Sequence, residues 1–150
     1  MYMYNSDFAK CWSRLTKDYK LHMDQELAPS LTEAQLAVLE VLDDHEKMKP
    51  SDLIPFLATT PAAVTMLLDR MEKNGLIYRD RDDQDRRIVW VSLSDKGRME
   101  TKRGITIRNE FMNSVLSNIS MHNQQLLVYL LGKMTAPKTN VQQPVLTSSG

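Results

Sequence analysis

Hydrophobic positions repeat at helical spacing over most of this 150-residue chain, and between residues 76 and 93 the spacing gives way to alternation. Phe8, Trp12, Leu15, Tyr19 and His22/Met23 recur every three or four positions and predict a long amphipathic helix over 6–27, ended by Ala28-Pro29-Ser30. Such a stripe needs a surface to cover it, either the rest of the chain or a second subunit. In Leu31-Thr32-Glu33-Ala34-Gln35-Leu36, Thr32 and Gln35 fit a capping box and Leu31 and Leu36 stand at staple positions. A second helix therefore starts there and runs through Leu39 and Leu42 to the acidic turn 43–46. Ser51 then caps a short helix over 52–58, with Leu53, Ile54 and Leu57 inward and Pro55 near enough its start to remove at most one backbone hydrogen bond.

The stretch 59–93 is the most informative. Thr60 can cap with its hydroxyl, and Pro61 supplies a preset φ at the first helical position. Val64, Leu67, Leu68 and Met71 fall on one face of the helix that follows. Ala62, Met66, Asp69 and Lys73 lie on the opposite face, flanked by Thr65 and Arg70. Asn74-Gly75 provides the left-handed stop. Two β-prone runs follow, 76–81 and 88–93, joined by the polar loop 82–87. In the second run Val89, Val91 and Leu93 alternate with Ile88, Trp90 and Ser92. A short helix, a turn, a longer helix and then a hairpin tipped with arginines give the outline of a winged helix-turn-helix.

Beyond the hairpin, Ser94 can cap a helix to about residue 118, with Met99, Phe111, Val115 and Leu116 expected inside and Gly97 and Gly104 weakening its first half. Ser120 can cap a last helix whose apolar face is Leu126, Leu127, Leu130, Leu131 and Met134. Residues 137–150 have few apolar positions and read as a disordered tail. The chain thus reads as a mainly α (α+β) protein. A winged helix-turn-helix over 31–93 lies between helical segments, 6–30 and 94–136, that bury their stripes most readily by intertwining with a twin.

Composition narrows the class. Apolar residues make up 42% and charged residues 25%, ordinary for a globular protein. No apolar run approaches the roughly 18–20 residues that span a bilayer, and no secretory signal is visible, so a cytoplasmic location without membrane contact is expected. The formal net charge is zero, but the first 58 residues are net acidic and the remainder net basic. Arg70, Lys73, Arg79, Arg81, Arg86 and Arg87 form the cluster that suits nucleic acid, for which a local positive surface matters more than the total. No glycine-rich phosphate loop, G-x-S-x-G or H-E-x-x-H is present, so an enzyme is not expected. His22, His45 and His122 stand apart from one another and from the cysteine, so neither a metal site nor any other cofactor is expected.

The segment LLDRMEKNGLIYRDRDDQDRRIVWVSLSDKG resembles the MarR family of bacterial winged-helix transcriptional regulators in its LVDRLE-x-x-GL-[IV]-x-R segment, its D-x-R wing and its L-[ST]-x-x-G entry to the next helix. LTEAQLAVLEVL is similar to the family's second helix. The resemblance covers about residues 6–136 and implies a homodimer on a pseudo-palindromic double-stranded DNA operator, usually as a repressor. It places Thr60, Pro61, Ala62, Thr65 and Met66 on the DNA-facing part of the recognition helix, with Arg70 at its flank. It makes Arg87 the wing-tip arginine and Asp85 the residue that orients it; Lys73 and Arg86 join them from the basic cluster. A guanidinium suits the negative potential of a narrow minor groove. One departure matters. Where the family often has Arg or another polar residue at Met66, and Ser or Thr at Ala62 or Ala63, this chain offers few hydrogen-bond donors, so phosphates and the wing are expected to carry much of the affinity.

The resemblance also implies a switch, commonly a small aromatic or phenolic acid bound between the winged domain and the dimerisation helices. A thiol-based redox sensor is the alternative, with Cys11 as candidate beside Lys10 and Arg14. The oxidant-sensing branch, however, carries a tyrosine where this chain has LTEAQ. A winged helix used for protein contacts is a further alternative, which the paired Arg86-Arg87 at the loop tip disfavours.

Overall fold

The computed structural model describes residues 3–137. It contains α1 (Asn5–Leu27), α2 (Glu33–Asp43), α3 (Pro50–Leu57), α4 (Pro61–Lys73), β1 (Ile77–Arg81), β2 (Val89–Leu93), α5 (Asp95–Leu116) and α6 (Met121–Thr135). The protein is mostly helical, with one small antiparallel sheet. The chain divides into two compact units, one through Asn113 and one from Ser114 onward. Apart from Pro137, the expected disordered tail lies outside the described residues.

The first unit is built around α2, whose start is fixed as the sequence predicts. Thr32 Oγ1 accepts from Gln35 N at 3.2 Å, and Gln35 Oε1 accepts from Thr32 N at 3.1 Å. Leu36, Val38, Leu39 and Leu42 of this helix are buried against Leu53 of α3, Val64, Leu68 and Met71 of α4, and Leu76, Ile77, Val91 and Leu93 of the hairpin. The axis turns by 110° between α3 and α4, as a helix-turn-helix requires. The turn passes through Ala58 at φ 45°, ψ 44°, a left-handed conformation that a residue with a Cβ adopts only at some strain.

α3 starts earlier than expected. Its N-terminus is organised by Asp52, whose Oδ2 accepts from Lys49 N at 3.2 Å, with Pro50 in the first turn; Ser51 lies inside the helix and is not its cap. α4 ends as Asn74-Gly75 foretells. Gly75 takes φ 73°, Gly75 N donates to Glu72 O, and Leu76 N donates to Met71 O, the paired bonds of a Schellman stop. The hairpin pairs Ile77 with Leu93 through Arg81 with Val89, so each strand is one residue shorter at its start than predicted. Met48, between the acidic turn and α3, bridges Val91 from the other side through two backbone bonds of 2.9 and 2.7 Å.

α5 corrects two expectations. Ser94 does cap it, with Gly97 N donating to Ser94 Oγ at 2.9 Å, but Met99 is 72% exposed. The buried stripe of its first half is Gly97, Thr101, Gly104 and Ile107. The glycines are there for close approach: a Cβ on Gly97 would collide with the Leu76 carbonyl oxygen, and one on Gly104 with Leu36 Cδ1. α1 lays only Met23 and Leu27 fully into the core, with Tyr19 partly covered. Phe8, Trp12 and Leu15 remain 42–54% exposed.

In the second unit α6 begins at Ser120, whose Oγ accepts from Asn123 N at 3.2 Å. Gln124 Nε2 donates to the Leu116 and Ile119 carbonyls at 2.9 and 3.2 Å, closing the end of α5. Leu126, Leu127, Leu130, Leu131 and Met134 are all exposed. No single helix among the described residues is long and apolar enough to cross a membrane.

Candidate nucleic-acid interface

α4 keeps one face for the core and shows the other to solvent. Thr60 Oγ1 accepts from Ala63 N at 3.2 Å, fixing the first turn, and Thr65 Oγ1 donates to Pro61 O at 3.1 Å. Ala62, Thr65, Arg70 and Lys73 are exposed, as is Met66. The expected donor shortage therefore appears on the surface, since the Thr65 hydroxyl already bonds within its own helix. Arg70 and Lys73 sit in the last turn, where cations complement the helix dipole.

The basic cluster read from the sequence splits in two. Arg79 faces inward onto α4: its Nη2 lies 2.7 Å from Asp69 Oδ1, and its Nε and Nη2 each reach a Glu72 oxygen at 3.1 Å. These bonds hold the Glu72 carboxyl below its ordinary pKa and raise that of Arg79. Arg79 is thus a bolt between β1 and α4. Arg81 Nη1 donates to the Arg86 carbonyl at 2.6 Å and shapes the loop. Arg86 and Arg87 remain exposed at the tip.

Arg87 is the most clearly prepared of these groups. Its Nε and Nη2 each donate to one Asp85 oxygen at 3.0 Å, and its own N donates to Asp85 Oδ1 at 3.1 Å, while 90% of the side chain stays in solvent. The guanidinium lowers the Asp85 pKa, and the carboxylate raises that of Arg87. A two-point pair of this kind sets the direction of an exposed cation.

Two features escaped sequence reasoning. One is a half-buried polar cluster joining α1, α2 and α5. Arg108 Nη1 donates to Glu40 Oε2 at 3.0 Å and Nη2 to Glu40 Oε1. Arg108 also interacts electrostatically with the Tyr19 hydroxyl, and burial is the main reason the Tyr19 pKa is raised. His22 Nε2 lies 3.0 Å from the Ile107 carbonyl, so that nitrogen carries the proton, and Phe111 packs on both Tyr19 and His22. The other is an apolar groove of about 590 Å³ along α4, lined by Phe56, Leu57, Ala63, Met66 and Leu67 with Arg70 among them. Among the described residues no cluster of His, Cys, Asp and Glu could hold a metal ion. Cys11 is exposed on α1 and forms no disulfide.

A model of the MarR family matches residues 31–89, from α2 to the start of β2. The transcriptional repressor MdtR of Bacillus subtilis is 30% identical over 121 residues, 80% of this chain and 78% of that protein. The chain belongs to the MarR family. Among solved structures, the YusO protein of Bacillus subtilis is similar with a TM-score of 0.72 at 26% identity, covering 85% of this chain and 89% of that one. BpsR of Bordetella bronchiseptica, in a study of how 6-hydroxynicotinic acid regulates its DNA binding, is similar with a TM-score of 0.68 at 25% identity, covering 85% and 98%. This MarR-family chain is a DNA-binding transcriptional regulator, and its relatives are regulators, not enzymes.

Proposed function

We propose that two copies of this chain clasp through their helical segments, 6–30 and 94–136, and present two winged units, 31–93, to a pseudo-palindromic operator as a repressor. The observation that carries the reading is Arg87, a fully charged side chain 90% in solvent yet held in a fixed direction by Asp85. Thr60, Pro61, Ala62, Thr65 and Met66 would face the major groove, Arg70 and Lys73 its phosphates, and Arg86 and Arg87 the backbone or the minor groove. Large apolar side chains left in solvent on α1 and α6 support the dimer, since exposed patches of this kind mark association surfaces. The relation to BpsR supports release by a small aromatic acid. The alternative switch, oxidation of Cys11, has only its exposure in favour.

Footprinting on the intergenic DNA beside the gene, with and without aromatic acids and with peroxide, tests the reading. Two protected half-sites about one helical turn apart are expected, released by the acid and indifferent to peroxide. Sedimentation should give twice the chain mass; a monomer that protects a single half-site would overturn the dimer.

A further inference from the structure

Alternation along β2 turns Trp90 to the outer face of the hairpin while Val91 goes into the core. A tryptophan there adds little to the core, yet it is only partly exposed, with both its N–H and its ring face engaged. Its indole N–H donates to Asp82 Oδ1 at 2.9 Å. Lys47 Nζ lies 4.6 Å and Lys49 Nζ 5.9 Å from its ring centroid, reaching over from the turn before α3. Between those lysines Met48 pairs its backbone with Val91, so ring and backbone fasten the wing to that turn together.

The other Asp82 oxygen faces the loop. Asp82 Oδ2 accepts from Gln84 N and Asp85 N, both at 3.0 Å. Asp85 in turn holds the backbone and the guanidinium of Arg87. The geometry points to Trp90 and Asp82 as positioning residues that fix the shape of the wing loop, and hence the direction of Arg87, from the body of the domain. The inference rests on the proposed role of the wing on DNA, and adds residues that touch no DNA themselves. Asp82 is suited to the task because a carboxylate accepts on both sides at once; the same bonds hold its pKa low, so it stays charged at neutral pH. Networks of this kind pre-order a site whose ordering would otherwise be required at binding.

Three variants separate the possibilities. Trp90→Phe keeps a ring beneath the lysines and deletes only the N–H donor. Asp82→Asn keeps the shape and forces one arm to present a donor to a donor. Arg87→Ala tests the wing itself. Two-dimensional NMR hydrogen exchange should show the Gln84 and Asp85 amides exchanging faster in the first two variants, with thermal midpoints close to that of the parent protein. Operator affinity should fall about three- to tenfold in each of these two. Placed on top of Arg87→Ala, the same changes should alter affinity by less than about twofold, because they act through Arg87. Unchanged amide exchange would overturn the latch. Equal losses with and without Arg87 would overturn its action through that residue. If Arg87→Ala alone loses nothing, the wing reading falls, while the exchange rates still decide whether Trp90 and Asp82 order the loop.

Discussion

Replacing Arg87 with alanine removes one exposed positive charge per wing and leaves the core untouched, because its side chain is 90% in solvent and bonds only to Asp85. Each phosphate neutralised in a complex with B-DNA contributes about 0.9 to the slope of log K against log salt. A dimer with two wings on the duplex should therefore lose about 1.8 from that slope. Taking about 1 kcal/mol per wing contact, near the lower end for such groups, affinity should fall roughly thirtyfold at moderate salt. The substitution also strands the Asp85 carboxylate beside DNA, which adds repulsion, so the paired change Asp85→Ala/Arg87→Ala should recover part of the affinity but none of the slope. Asp85→Asn should weaken binding through lost alignment and keep the slope, since the cation remains. Fluorescence anisotropy with a labelled operator, titrated at several salt concentrations, measures all four proteins. An unchanged slope for Arg87→Ala would show that the wing arginine does not neutralise phosphate, and an unchanged affinity for Asp85→Asn would refute the orienting role.

Ala58 takes a left-handed conformation that costs about 1–2 kcal/mol with a Cβ, whereas glycine adds about 0.4–1 kcal/mol of unfolded-chain entropy. Ala58→Gly should therefore stabilise by about 0.5–1 kcal/mol and raise the thermal midpoint by about 1–4 °C. Gly97→Ala should do the reverse although alanine is the better helix former, because its Cβ meets the Leu76 carbonyl oxygen; a loss of about 1–3 kcal/mol by urea unfolding is expected. The wing carboxylates Asp82 and Asp85 both have lowered pKa values, caused first by the Trp90 and Arg87 hydrogen bonds respectively. A depressed carboxylate contributes order that is complete above its unfolded pKa, about 3.9, and is lost as pH falls through the folded value. Loop amide protection should thus be flat from pH 8 to 5 and collapse only below about 4; loss near pH 6 would point to a different group.

The order of elements was legible because each boundary carries a local chemical signal: the Thr32–Gln35 box, the Thr60-Pro61 start, the Asn74-Gly75 stop and the Ser94 and Ser120 caps all act as their residue types dictate. Errors arose where the decisive partner is distant. Lys49 as the start of α3 depends on a reach-back from Asp52 that competes with the equally plausible Ser51. The glycines of α5 looked like weak helix formers because the crowding that requires them comes from Leu76 and Leu36, far away in sequence. Met99 looked buried on periodicity alone, but the inward stripe there is made of small residues. At the candidate interface, the Asp85–Arg87 pair was legible from its local D-x-R setting. The inward turn of Arg79 was not, since it depends on the register of β1 against α4, and neither was the latch role of Trp90, whose partner Asp82 is reached only once the strands pair.

The zero net charge of a DNA-binding protein has a structural explanation in where the cations point. Arg79 meets Asp69 and Glu72, Arg108 meets Glu40 and Tyr19, and Arg103 meets Glu100 together with the Glu26 and Leu27 carbonyls. These arginines join α4 to β1, α2 to α5 and the end of α1 to α5, and their charge is cancelled where it stands. Arg70, Lys73, Arg86 and Arg87 are instead exposed on α4 and the hairpin loop. Screening limits the reach of a surface charge to about 8–10 Å in physiological salt, so DNA docked on that face would sense these side chains far more than the acidic groups of the first 58 residues. A protein arranged this way should bind random duplex weakly and depend on correct seating of both wings. That places the burden of affinity on the direction of a few guanidiniums, which is why the bonds from Trp90 through Asp82 and Asp85 to Arg87 should matter more than any further lysine added to the surface.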